Sequence, residues 1–128
     1  MDASTVVTQL WTRFQARDWA GAGELLAADA VIEWPVSAER IVGRDNYLEI
    51  NRQYPEGWQI RILRVIGCGD EAVTEVEVPH ETMGVFRAVS LWTLAHGRIV
   101  RGTEYWTSLG ADTPRPDRAA YVERIGEA

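Results

Sequence analysis

The chain has 128 residues, 46% of them apolar and 25% charged, with a formal net charge of −6. This suits one soluble globular domain with enough apolar material for a core, and the acidic balance argues against a nucleic-acid surface or a polybasic membrane contact. No apolar run approaches the ~20 residues of a membrane-spanning helix, and one cysteine with two histidines supplies neither an internal disulfide nor a zinc site. Asp2 stands where a secretory leader carries basic residues, so a reducing, cytoplasmic location is the default expectation. The six tryptophans serve either as core or as walls of a cavity for an apolar ligand.

Val7, Leu10, Trp11 and Phe14 fall at i, i+3, i+4 and i+7 and predict a first helix, with Asp2 or Ser4 as its cap. Asp18 can cap a second helix whose inner face carries Trp19, Ala22, Leu25 and Leu26. Val31, Ile32 and Trp34 then read as a short strand, ended or placed at an edge by Pro35. A third helix follows Gly43, with Asp45 as cap and Tyr47, Ile50 and Tyr54 on its apolar side, and Pro55 stops it.

Beyond this point the period becomes two. In "WQIRILRVI", Ile60 and Ile62 share one face, and Arg61, Leu63 and Val65 share the other. "GCGD" is a tight turn, "AVTEVEVPH" alternates strictly, and "GVFRAVSLWTLA" turns at "HG" into "RIVRGTEYW". Residues 109–128 read as a tail with a short helix after Asp117. Three helices interrupted by one strand, then a four-stranded meander, predict an α+β fold with helices packed on one face of a curved antiparallel sheet.

The strings "ARDWAGAGELLAADAVIEWP", "GRDNYLEINRQYP", "MGVFRAVSLWTLAHGRIVRGTEYW" and "PRPDRAAYVERI" resemble the nuclear-transport-factor-2-like superfamily, in particular its SnoaL-like branch. The resemblance spans nearly the whole chain, 1–128. It implies a cone-shaped, cystatin-like α+β barrel, with a mixed sheet wrapped around three N-terminal helices and a pocket between helices and sheet. It also implies a homodimer through the outer sheet face. It does not fix an activity, because the fold hosts isomerases, epoxide hydrolases, cyclases, dehydratases and binding modules.

The steroid isomerases of this fold need a tyrosine, a base and a protonated acid, and those places hold Leu10, Trp34 and Ser90 here, so their mechanism is not expected. The epoxide hydrolases use an acid on the last strand and an Arg-x-Asp pair on an earlier one. By that resemblance Glu104 takes the first place, and Glu75 and Glu77 take the pair. Val31 and Glu33 fall where those enzymes keep the tyrosine and asparagine that hold water.

The candidate site follows. Glu104 faces either water or the pocket; if it points inward, Gly102 and Trp106 do too, with Gly102 leaving room for a ligand. Glu75 and Glu77 either form a solvated face or join Glu104, in which case an arginine is expected nearby, Arg61, Arg64 or Arg87. His80 beside Glu81 is a further candidate base. Trp34, Phe86, Ser90, Trp92 and Trp106 are the candidate substrate-binding walls, with plain core packing the competing reading. No cofactor or metal is expected, since the chain has neither a glycine-rich phosphate loop nor a metal constellation. The expected activity is cofactor-independent acid–base chemistry on a small hydrophobic or polyketide-like molecule, of cyclase, isomerase, dehydratase or epoxide-hydrolase type. The alternative is a binding or accessory protein without catalysis.

Overall fold

A computed structural model of the chain describes residues 1–126. Helix α1 (Ala3–Gln15) starts at Asp2, whose carboxylate accepts from the Thr5 N–H at 2.9 Å. Its buried residues Ala3, Val6, Val7, Leu10, Trp11 and Phe14 form one stripe, which lies against the sheet. Helix α2 (Trp19–Glu24) is capped by Asp18, which accepts from the Gly21 N–H and pairs with Arg13. Helix α3 (Arg44–Gln53) begins at Gly43, whose φ of 95° suits glycine. No side chain caps α3: Asp45 is not its cap, and Asn46 donates instead to the Val42 carbonyl.

Six strands form one sheet: β1 (Leu26–Trp34), β2 (Glu39–Val42), β3 (Arg61–Cys68), β4 (Glu71–His80), β5 (Gly84–Ala95) and β6 (Arg98–Ser108). Their order is β2-β1-β6-β5-β4-β3, with β1 parallel to β6 and the remaining pairs antiparallel. The sheet curves around the helices but stays open, with β2 and β3 at its edges. The α+β expectation holds, with two corrections. The first strand is longer than Val31–Trp34, and the turn after Pro35 leads into β2, which the charged string "ERIV" conceals.

Two extra residues set the faces. Leu63 has no partner between the pairs Ile62↔Val76 and Arg64↔Glu75, so Ile62 and Val65 share the inner face instead of opposing one another. Val100 is likewise extra between Leu94↔Ile99 and Thr93↔Arg101, and this brings Gly102, Glu104 and Trp106 to the side where Ile99 is buried. Rows of opposed side chains then cross the inner face. One row is Ala72, Trp92, Gly102 and Ile32, and the next is Thr74, Ser90 and Glu104. A Cβ on Gly102 would lie 2.7 Å from Trp92 Cζ3 and 2.9 Å from Ile32 Cδ1. Gly102 therefore makes room for the Trp92 ring, not for a ligand.

Past β6 the chain holds a 3₁₀ helix at Pro116–Tyr121. The last two residues of the predicted tail lie outside the described residues.

Candidate functional site

The inner face of the sheet is apolar except for one row. Thr74, Ser90 and Glu104 are its buried polar side chains, at 0%, 0% and 1% exposure. Thr74 Oγ1 accepts from two indoles, Trp11 Nε1 at 3.1 Å and Trp92 Nε1 at 2.9 Å. These bonds tie α1 to the sheet and satisfy two buried donors at once. Glu104 receives three bonds from three elements. Tyr47 on α3 donates its hydroxyl to Oε1 at 2.7 Å, Trp34 at the end of β1 donates Nε1 to Oε1 at 3.1 Å, and Ser90 on β5 donates to Oε2 at 2.7 Å. The carboxyl is thus held in one orientation by neutral donors alone.

Burial raises the pKa of Glu104 above the ordinary glutamate value; the bonds from Ser90, Trp34 and Tyr47 oppose the shift without cancelling it. Burial and the neighbouring carboxylate push the Tyr47 hydroxyl well above its ordinary range, so it stays protonated and donates to Glu104. Of the lone pairs on Glu104, Oε1 uses two and Oε2 one, which leaves Oε2 the larger accepting capacity.

Glu104 lies in the wall of a cavity of about 340 Å³, near the lower end of the size range of ligand pockets. Aromatic rings dominate the wall: Trp11, Phe14, Trp34, Trp58, Phe86 and Trp106. Ile50 and Asn51 of α3, Tyr54 just past its end, and Val36 and Ser37 of the β1–β2 turn also line it. Edge-to-face contacts from Trp11 to Phe14, Trp92 and Trp106, with centroids 5.9–6.4 Å apart, fix the ring nearest the centre of α1.

Of the side chains singled out in the sequence, Trp34, Phe86, Trp106 and Glu104 line this cavity. Ser90 reaches it only through its bond to Glu104. Trp92 is not a wall: it is 1% exposed, packs over Gly102 and belongs to the core. Glu75 and Glu77 lie on the opposite face, because Thr74, Val76 and Val78 take the inward positions of β4. There Glu77 pairs with Arg61 at 3.2 Å and Glu75 with Arg64 at 2.9 Å, while Arg87 lies 4.0 Å from Glu77. The expected second carboxylate and its arginine are therefore a partly covered ion-pair ladder on the outer face, and Glu77 does not pair with Glu104.

His80 is also outside the cavity wall. Its Nδ1 accepts from the Thr82 N–H, and its Nε2 faces the Pro55 carbonyl at 3.0 Å, so the proton sits on Nε2 and both nitrogens are engaged by backbone. Its contribution is to stand edge-on behind Tyr54, 6.1 Å between centroids.

The sequence reading missed Tyr47 as a partner of the acid, and Trp11, Trp58 and Asn51 as wall residues. A signal for two of these was present: Tyr47, Ile50, Asn51 and Tyr54 fall at i, i+3, i+4 and i+7 on α3, one helical face aimed at the cavity. Among the described residues no group of three histidine, cysteine or acidic side chains is placed to hold a metal.

Residues 7–102 match the family model of the SnoaL-like domain. Among solved structures, the chain is similar to a candidate ketosteroid isomerase of Kribbella flavida, at 29% identity and a TM-score of 0.87 over 98% of this chain and 90% of that one. A nuclear-transport-factor-2-like protein of unknown function from Burkholderia xenovorans is 25% identical, with a TM-score of 0.75 over 95% and 94%. An epoxide hydrolase of M. tuberculosis shares the fold at 22% identity, with a TM-score of 0.69 over 82% of each chain. No curated protein matches the sequence.

Proposed function

The chain belongs to the SnoaL-like domain family, within the nuclear-transport-factor-2-like superfamily, and on that premise we propose that it is a cofactor-independent acid–base enzyme of isomerase or cyclase type acting on a small hydrophobic molecule. The observation that carries this reading is Glu104, one oriented carboxyl in an aromatic cavity with its pKa raised by burial. A carboxyl tuned upward is a stronger base than an ordinary glutamate and, once protonated, can return the proton to the substrate.

That only one acid among the described residues lines the cavity narrows the reaction. Epoxide hydrolysis needs a base for water and an acid for the leaving oxygen at the same moment. A shift of a double bond or an aldol-type ring closure moves one proton off carbon and later gives one back, which a single carboxyl does in turn. Oε2, with its spare lone pair, is the atom assigned to this transfer; Trp34 and Tyr47 hold Oε1 and keep the group from rotating. Trp34 and Ser90 stand where the steroid isomerases of this fold keep base and acid, and both bond to Glu104.

The test is proton exchange. A panel of small cyclic ketones in deuterated buffer, followed by proton NMR, should lose α-protons faster with the protein than without it. Glu104→Gln should lower that rate about 100-fold or more while binding persists. Exchange no faster than in buffer across the panel would remove catalysis.

The second reading is a binding protein, and the three donors that already hold Glu104 in place favour it. Under that reading Glu104→Gln alters affinity alone. Either way, two copies are expected to pair through the outer sheet face, where Ile66, Val73 and Leu91 form one apolar row and Val89 and Tyr105 extend it.

A further inference from the structure

Glu104 is an acid to which the protein gives no basic partner. Among the described residues, all the basic side chains other than the two histidines are arginines, and none of them lines the cavity. Arg61, Arg64 and Arg87 attend Glu75 and Glu77 on the other face. Arg17 stacks on the Trp58 ring, 3.3 Å from guanidinium carbon to centroid, and is neutralised there by Glu56 at 2.9 Å. The groups bonded to Glu104 itself are an indole, a phenol and a hydroxyl. Such donors stabilise a carboxylate but do not cancel its charge.

The cavity wall that holds this charge carries seven aromatic rings. Aromatic faces attract cations, and more strongly where water is absent. A neutral apolar ligand suits the protonated acid but leaves the carboxylate form uncompensated. A hydrated metal ion gains little, because aromatic walls cannot replace its water ligands. A cation that carries its own apolar shell meets both features of the cavity.

We propose that the cavity selects a small organic cation, an alkylated ammonium in chemical class, whose charge is met by Glu104 and whose alkyl groups pack on the surrounding rings. This selection rests on the cavity being the ligand site named above and is independent of turnover. The acidic net charge of −6 favours the approach of such a ligand. A proton and an organic cation compete for the same carboxylate, so binding tightens as pH rises through the titration of Glu104. Among the described residues, Tyr47 is the one titratable group bonded to Glu104, and Tyr54 is the one other titratable side chain in the cavity wall, with no arginine, histidine or second acid there.

Choline and 3,3-dimethylbutan-1-ol, which share a shape and differ in charge, provide the test by isothermal titration calorimetry. At pH 8 choline is expected to bind about ten-fold or more tightly than the alcohol. The ratio should fall toward one in Glu104→Gln, and in the wild-type protein as pH is lowered. Equal binding, tighter binding of the alcohol, or no binding of choline overturns the proposal. The wild-type comparison decides even if the glutamine variant does not fold. Absence of choline selectivity alongside Glu104-dependent proton exchange removes the cation and leaves catalysis standing. Choline selectivity without exchange does the reverse.

Discussion

At the residue scale the protein invests in one buried carboxyl, and the cost should be visible in how stability varies with pH. The folded protein holds a proton on Glu104 at pH values where the unfolded chain, with an ordinary value of 4.5, has released it. The stabilisation from this proton is complete below the unfolded value and is lost as pH rises through the folded one. The Tm of the wild type minus that of Glu104→Gln should therefore decline as pH rises from about 4.5 and level off above the folded pKa. Exposed carboxylates such as Glu49 and Glu56, whose pKa is lowered by Arg52 and Arg17, cancel in that difference. A difference independent of pH would show that Glu104 titrates as it does in the unfolded chain. Gly102 is the second sensitive residue. Gly102→Ala forces a methyl against the Trp92 ring and Ile32, and the neighbouring Thr74 bond limits how far that ring can yield. The expected loss is about 1–3 kcal/mol, read from urea unfolding with the slope unchanged. Wild-type stability in this variant would mean that Trp92 repacks freely.

At the element scale, most of the architecture was legible because periodicity and capping residues coincide. Asp2, Asp18 and Pro55 bound helices whose apolar faces agree with them. The hidden elements are those whose signal is tertiary. β2 is short and its one buried residue is Ile41, so pairing with β1 alone makes it a strand. Bulges are equally silent: counted in twos from buried Ile99, Glu104 would face water, and only the extra Val100 turns it inward. Glu75 and Glu77 show the reverse. Their alternation with Val76 and Val78 was plain, but a sequence does not say which face the helices cover. Tyr47 was readable as a helix-face aromatic, whereas its bond to an acid 57 positions away was not.

At the scale of the whole molecule, two faces of one sheet have separate tasks. The inner face carries the cavity, and the outer face carries apolar side chains beside an ion-pair ladder, with Leu91 45% and Tyr105 43% exposed. Leu91→Arg should convert the expected homodimer to monomer in sedimentation velocity, leaving the Tm within a few degrees when measured at low protein concentration. A wild-type protein that sediments as a monomer would remove the pairing. The sheet order has a consequence of another kind. β6, last strand in sequence, lies between β1 and β5, and without it the sheet is two disconnected pieces. During synthesis on a ribosome, the β1–β2 hairpin and the β3–β5 meander therefore stay unjoined until residues 98–108 clear the exit tunnel, although α1 can already pack on β3 and β4. The strand that brings Glu104 is also the one that joins the two pieces, so a nascent chain has no complete cavity wall before β6 is made.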